Sequence, residues 1–75
     1  MTISERDGKL FGGNIRRLRR QRGLSASALA RKADTGRDTL LRIESGLRAP
    51  RLDTLLKLAD ALEVDPGELL RGLRP

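Results

Sequence analysis

Apolar residues recur along the chain at helical spacing in five stretches separated by polar or glycine-containing segments. The first stretch is marked by Phe11, Ile15 and Leu18, which repeat at i, i+4 and i+7. The other four are marked, in chain order, by Leu29, Ala30 and Ala33; by Leu40 and Ile43; by Leu52, Leu55, Leu58, Ala59 and Leu62; and by Leu69 and Leu70. The pattern predicts five short helices and no strand, which together make a compact all-α bundle.

Capping residues indicate where these helices begin and end. Asp7 is a candidate N-cap for the first helix, and Gly23 stands at its expected C′ position. Ser25 is expected to cap the second helix, over 26–33, and the third is expected over 37–45. Asp65 precedes Pro66, and a glutamate follows at N3, so the last helix is expected to begin with a capping box.

The first eight residues are expected to be a flexible arm, and residues 9–73 are expected to form the folded domain. Gly12 and Gly13 each weaken a helix by about 1 kcal/mol relative to alanine. The first helix is therefore expected to be firm only from Asn14 onward.

The second and third helices are joined by a turn of three residues, which predicts a helix-turn-helix. Two helices that cross closely need a small residue at the contact, and Ala30 supplies it. The turn needs a residue that tolerates positive φ, and Asp34 does so better than most residues other than glycine. Leu40 and Ile43 anchor the third helix. Its N-terminal end is then free to enter the major groove of DNA, which admits one helix.

Composition removes most enzymatic chemistry. A chain of 75 residues forms at most one domain, and it contains neither cysteine nor histidine. These absences exclude disulfides, most nucleophilic triads and nearly all zinc or haem sites. We therefore expect no enzyme activity, no metal and no cofactor.

The charge balance indicates the class of partner. Sixteen Lys and Arg face ten Asp and Glu, which gives a formal net charge of +6. Such an excess favours nucleic acid or an anionic membrane, although it also occurs on surfaces that are merely well solvated. We assign the arginine cluster over 16–22 to a solvated helix face. One Phe, with no Tyr or Trp, cannot build the aromatic platform on which single-stranded bases stack, so recognition of a duplex through basic and polar side chains remains open.

The sequence also bears on location. No apolar run approaches the roughly 20 residues that span a membrane, and residues 1–7 contain no hydrophobic signal core. A cytoplasmic, nucleoid-associated protein is expected.

A set of residues over about positions 10–70 resembles the Cro and phage-repressor helix-turn-helix family, also called the xenobiotic-response-element family. No single residue is decisive, but the order and spacing are specific. The matching residues are Ile15, Leu18, Arg19, Gly23, Leu24, Ser25, Leu29, Ala30, Lys32, Ala33, Arg37, Thr39, Leu40, Arg42, Ile43, Glu44, Gly46, Pro50, Leu52, Thr54, Leu55, Leu58, Ala59, Ala61, Leu62, Leu69 and Leu70. The resemblance implies a lambda-repressor-like domain that regulates transcription, usually as a dimer.

The resemblance also implies roles for individual residues. The third helix would be the recognition helix, with base contacts from Arg37, Asp38, Thr39 and Arg42. Arginine can pair bidentately with guanine, and aspartate can accept from cytosine N4. The resemblance further implies phosphate contacts from Ser25, Ser45, Arg48 and Arg51. It also implies a buried ion pair between helices, formed by Arg19 and Glu44.

Leucines in a domain this small cannot all be covered. By default the unassigned leucines belong to the core, but one or two of them are expected at a homodimer surface; the candidates are Leu47, Leu69, Leu70 and Leu73. The leading hypothesis is a repressor or controller that binds a near-palindromic operator.

Three positions depart from the family pattern. Ala26 stands where the second helix usually begins with Gln, Asp34 where the turn usually opens with Gly, and Leu41 where a polar residue is usual. Leu41 is open to two interpretations, contact with a thymine methyl group or with a different partner. Ala26 and Leu41 together favour an alternative in which the domain binds a partner protein and holds DNA weakly. Non-specific compaction of the nucleoid is a third possibility.

Overall fold

Five helices follow one another along residues 3–74, which are the residues that this computed structural model describes. They are α1 (Glu5–Gln21), α2 (Ala26–Lys32), α3 (Arg37–Glu44), α4 (Leu52–Leu62) and α5 (Pro66–Leu69). The described residues contain no strand, and the predicted all-α class with five helices is confirmed. Within the same range, none of the helices has the length and apolar character needed to cross a membrane.

The helices pack in a closed circuit around one core. Helix α3 lies against both α1 and α2, α2 also contacts α4, and α5 packs on both α4 and α1. Burial of one leucine-sized side chain stabilises a fold by about 1.5–3 kcal/mol, so the buried apolar residues supply most of the favourable free energy of folding. The buried apolar side chains are Phe11, Ile15, Leu18, Leu29, Ala30, Ala33, Leu40, Ile43, Leu58, Ala59, Leu62 and Leu69.

Helices α1 to α4 all end in the same hydrogen-bonded turn. At the end of α1, the amide of Leu24 donates to the carbonyl of Arg19 (3.1 Å) and that of Gly23 to the carbonyl of Arg20 (3.0 Å). This is the Schellman motif, which requires one residue with positive φ. Those residues are Gly23 (67°), Asp34 (53°), Gly46 (78°) and Glu63 (58°).

Helix α1 begins earlier than the sequence pattern predicts. Ser4, rather than Asp7, is its N-cap, and the Ser4 hydroxyl oxygen accepts from the amide of Asp7 (3.1 Å). Residues 5–8 form the first turn of α1, where Asp7 and Gly8 are buried. The expectation of a flexible arm over 1–8 is therefore wrong for residues 5–8. Residues 1 and 2 lie outside the described range.

Gly12 does not loosen α1, contrary to the expectation that the helix is firm only from residue 14. The backbones of α1 and α3 meet at this point, and a Cβ on Gly12 would overlap the carbonyl oxygens of Ile43 and Glu44. Gly13, by contrast, faces open space. The helical cost of Gly12 is therefore offset by close packing of the two helices.

Polar side chains fasten the C-terminal segment onto α1. The Asn14 amide nitrogen donates to the carbonyls of Leu69 and Arg71, both at 3.0 Å. A carboxylate oxygen of Asp7 accepts from the backbone amide of Arg74 at 3.3 Å. These bonds close the circuit between the first and last helices.

The start of α5 follows the prediction only in part. Asp65 is the N-cap, with Pro66 at the first helical position, and its carboxylate accepts from the amide of Gly67 at 3.0 Å. The Glu68 carboxylate pairs with Arg71 at 3.0 Å instead of reaching back to the cap. The expected capping box is thus absent because a cation one turn later attracts this carboxylate.

Candidate nucleic-acid interface

The turn between α2 and α3 has the geometry that the sequence predicts. Ala30 is buried, and its carbonyl accepts from the amide of Thr35 at 2.9 Å. Asp34 adopts positive φ, which confirms its expected role in turning the chain. Leu40 and Ile43 are fully buried and fix one side of α3 against the core.

The opposite side of α3 carries charged side chains that face solvent. Arg37, Asp38 and Arg42 are exposed, and Thr39 is half-buried. Among residues 3–74, none of these three charged groups takes part in an ion pair. Their hydrogen-bonding capacity is therefore available to a ligand that meets this face of the helix.

The four residues expected to hold phosphates are all exposed, and each stands at a helix end or in the loop after α3. Ser25 caps α2, and its oxygen accepts from the amide of Ala28 at 3.1 Å, which leaves the hydroxyl proton free to donate. Ser45 is the C-cap of α3, and Arg48 follows in the loop. Arg51 is the N-cap of α4 and lies 3.4 Å from a carboxylate oxygen of Asp53.

A buried carboxylate joins α3 to α1. Glu44 accepts two hydrogen bonds from the Arg19 guanidinium, at 2.7 Å from Nε and 3.0 Å from Nη2. Arg19 also donates to the carbonyl of Leu24 at 3.0 Å, so one side chain holds the end of α1, the α1–α2 loop and α3. The hydrogen bonds that Arg19 donates to Glu44 raise the pKa of Arg19; burial opposes the shift and the charge of Glu44 adds to it.

The arginine cluster over 16–22 is less uniform than the expected solvated face. Nε of Arg16 lies 3.5 Å from the same Glu44 carboxylate, and Nη2 of Arg22 donates to the carbonyl of Glu63 at 3.2 Å. Arg17 and Arg20 are exposed, as expected. Consecutive arginines lie on different sides of α1, so the interpretation of the whole cluster as one solvated face holds for Arg17 and Arg20 but not for Arg16 and Arg22.

The leucines expected at a dimer surface divide into two groups. Leu47 is 79% exposed and Leu70 43% exposed. Leu73 is half-buried against the core, and Leu69 is completely buried in it. Leu69 was therefore wrongly assigned to a surface, because the first turn of α5 directs it between α1 and α4.

Two exposed leucines on α4 were missed. Leu52, expected in the apolar stripe of this helix, is 71% exposed, and Leu56 one turn later is 50% exposed. The i, i+4 spacing of Leu52 and Leu56 is the available signal, since it defines a second stripe beside the one that enters the core.

An open groove of about 870 Å³ lies between the first turns of α1, the loop before α4 and the C-terminal segment, and the exposed Leu52 and Leu70 line it. Arg51, Arg74 and Asp7 are its charged lining residues. The apolar lining comes from residues in all three segments, among them Phe11, Pro50, Leu52, Leu55, Leu70 and Leu73.

Comparison with known proteins places this geometry among described regulators. A family model described as Helix-turn-helix matches residues 15–69. An uncharacterized HTH-type transcriptional regulator, y4dJ, of Sinorhizobium fredii is 39% identical over 62 residues, which are 83% of this chain and 80% of that protein. The cryptic phage CTXphi transcriptional repressor RstR of Vibrio cholerae is 36% identical over 61 residues. That match covers 81% of this chain, which spans about half (55%) of the repressor.

A solved structure gives the same result for the fold. The restriction-modification controller protein C.AhdI from Aeromonas hydrophila superposes with a TM-score of 0.84 at 39% identity. The superposition covers 85% of this chain and 97% of the controller.

Proposed function

The chain belongs to the helix-turn-helix family of DNA-binding transcriptional regulators, and from this premise we propose that it reads a specific operator through α3. It acts as a homodimer on a near-palindromic duplex site, as a repressor or controller. An operator is part of the cell's DNA, so we place the protein in the cytoplasm, at the nucleoid.

The observation that carries this proposal is the solvent-facing side of α3. Arg37 and Arg42 offer forked donors that suit the O6 and N7 atoms of guanine, and Asp38 offers an acceptor for cytosine N4. Among the described residues these groups have no ion-pair partner, while the buried Glu44 holds the helix from behind. Thr39, half-buried in the same turn, is assigned to a base edge beside them.

Phosphate contacts would fix the register of α3 in the groove without reading sequence. We assign them to Ser25 and Ser45, whose exposed hydroxyl groups can donate, and to the exposed Arg48 and Arg51. The pairing of Arg51 with Asp53 is exposed and therefore weak, so it does not prevent transfer of this arginine to a phosphate.

The apolar surface beside the groove supports the homodimer. Leu52 and Leu70 line the groove and are 71% and 43% exposed, and Leu47 lies in the same loop as Pro50, which also lines the groove. Exposed apolar surface of this kind is typical of protein interfaces. Two copies joined there would present two α3 helices to half-sites about one helical turn of DNA apart.

The test is selection from a random duplex pool at moderate salt, followed by sequencing of the bound fraction. We expect a two-fold-symmetric motif. Arg42→Ala should then lose about 1–3 kcal/mol at one base pair of each half-site. Arg17→Ala removes the same charge from an exposed position on α1 and is the matched control, which should keep the motif.

Recovery of no motif, with weak binding that disappears as salt rises, would leave only attraction to phosphates. The operator proposal would then be abandoned in favour of a domain that binds a partner protein.

A further inference from the structure

Leu41 is an apolar residue on the recognition helix that the core does not use. It is half-buried, yet it is not among the partly buried apolar side chains that pack against the core, such as Leu24 and Leu55. On the same helix, Leu40 and Ile43 are fully buried and account for its packing. The packing of α3 against the core therefore does not account for a leucine at this position.

The position of Leu41 places it among the charged side chains of the exposed face. It follows Arg37 by four residues and Asp38 by three, so it lies one turn further along the same side of α3. Side chains in a helix lean toward its N-terminus, so the Leu41 methyl groups extend toward the turn that carries these two residues. The next residue in the chain is the exposed Arg42.

The chemistry around Leu41 selects between two kinds of partner. An apolar protein surface that covered Leu41 would also desolvate the neighbouring charges of Arg37 and Asp38, which costs several kcal/mol per uncompensated ion. The major groove of DNA offers partners for those charges at base edges, and it presents one apolar group, the C5 methyl of thymine. A leucine beside Arg37 and Asp38, which are proposed to read bases, matches that methyl group.

We propose that Leu41 is a specificity-determining residue that packs on the C5 methyl of one thymine in each half-site. The inference rests on the proposed function and adds to it a thymine next to the base pairs that Arg37 and Arg42 read. Because 5-methylcytosine carries its methyl group at the same place in the groove, it substitutes for this contact when paired with guanine.

The experiment uses the operator recovered by selection, with each thymine replaced in turn by deoxyuridine. This replacement removes the methyl group and keeps every hydrogen-bonding edge. We expect the wild-type protein to lose about three- to tenfold in affinity at one thymine per half-site, near the factor for burial of a single methyl group. Leu41→Ala should bind the unmodified operator more weakly and be insensitive to deoxyuridine there.

Two further variants keep the result interpretable. Leu41→Met retains an apolar side chain of similar reach and should keep part of the sensitivity, provided that circular dichroism shows each variant to be folded. Arg42→Ala should weaken binding but leave the loss on deoxyuridine substitution unchanged.

Wild-type binding that is indifferent to deoxyuridine at every position would overturn the assignment of Leu41 while leaving operator recognition intact. Retention of the full effect by Leu41→Ala would overturn it as well. If selection yields no operator, the proposed function fails first, and the assignment fails with it.

Discussion

At the scale of single residues, two adjacent glycines in α1 have opposite roles. Gly12 is buried where α1 meets the backbone of α3, and Gly13 faces solvent. We expect Gly12→Ala to lower the free energy of unfolding by about 1–3 kcal/mol or more, because the added methyl group forces the helices apart. Gly13→Ala, the control, should raise it by about 0.5–1 kcal/mol through helix propensity.

Urea denaturation followed by circular dichroism measures both glycine variants. Equal and small effects at the two positions would show that the helices are not in close contact at Gly12.

Glu63 is a second residue with a local effect, because it adopts a left-handed conformation at the end of α4 (φ 58°). Residues with a Cβ pay about 1–2 kcal/mol in this region. Glu63→Gly should therefore stabilise the protein by about 0.5–1 kcal/mol, after the greater freedom of glycine in the unfolded chain is subtracted. Glu63→Ala removes the same carboxylate without relieving φ, and a melting temperature raised equally by both variants would contradict this explanation.

At the scale of elements, the Arg19–Glu44 pair decides how α3 is presented. Its carboxylate is 1% exposed and receives a forked guanidinium from α1. Glu44→Gln leaves the Arg19 charge without its counterion and should cost about 3–5 kcal/mol of stability. Glu68→Gln breaks the exposed pair with Arg71 and should cost less than about 1 kcal/mol.

Thermal and urea unfolding of the two variants provide the comparison. A Glu44→Gln protein as stable as Glu68→Gln would show that the buried pair contributes no net stability.

The pH dependence of this pair follows from the direction of its shift. The pKa of Arg19 is raised above the ordinary value of an arginine side chain. A raised pKa contributes stability that is complete below the unfolded-state value and is lost only as pH rises through the folded-state value. The contribution of Arg19 to the free energy of unfolding should therefore stay constant between about pH 5 and 10, as measured by urea unfolding at a series of pH values. A loss of this contribution centred below about pH 10 would contradict the raised pKa of Arg19.

Sequence periodicity was sufficient for the elements but not for their contacts. The spacing of Phe11, Ile15 and Leu18 defined the buried face of α1, and Asp34 was correctly placed with positive φ. The role of Gly12 depends on residues more than thirty positions away, so no local pattern could predict it. The burial of Leu69 and the exposure of Leu52 were likewise decided by how α4 and α5 pack.

At the scale of the whole molecule, the apolar surface at the groove should control assembly. We expect Leu70→Ser to convert a dimer into a monomer in sedimentation velocity and to weaken operator binding, because each half-site is then held separately. Leu56→Ser changes an equally exposed leucine that does not line the groove and should remain dimeric. A Leu70→Ser protein that sediments as the wild type would exclude this surface as the dimer contact.

The bonds of Asn14 and Asp7 to the C-terminal segment bring the two ends of the described chain together. The backbone amide of Arg74 lies 3.3 Å from a carboxylate oxygen of Asp7 in the first turn of α1, so the two ends of the described chain are neighbours. A short linker could then join them, and the chain could be reopened in the loop over 63–65 as a circular permutant with the α2–α3 unit uninterrupted. A segment fused at Ile3 or Arg74 would begin at the groove, because both residues line it.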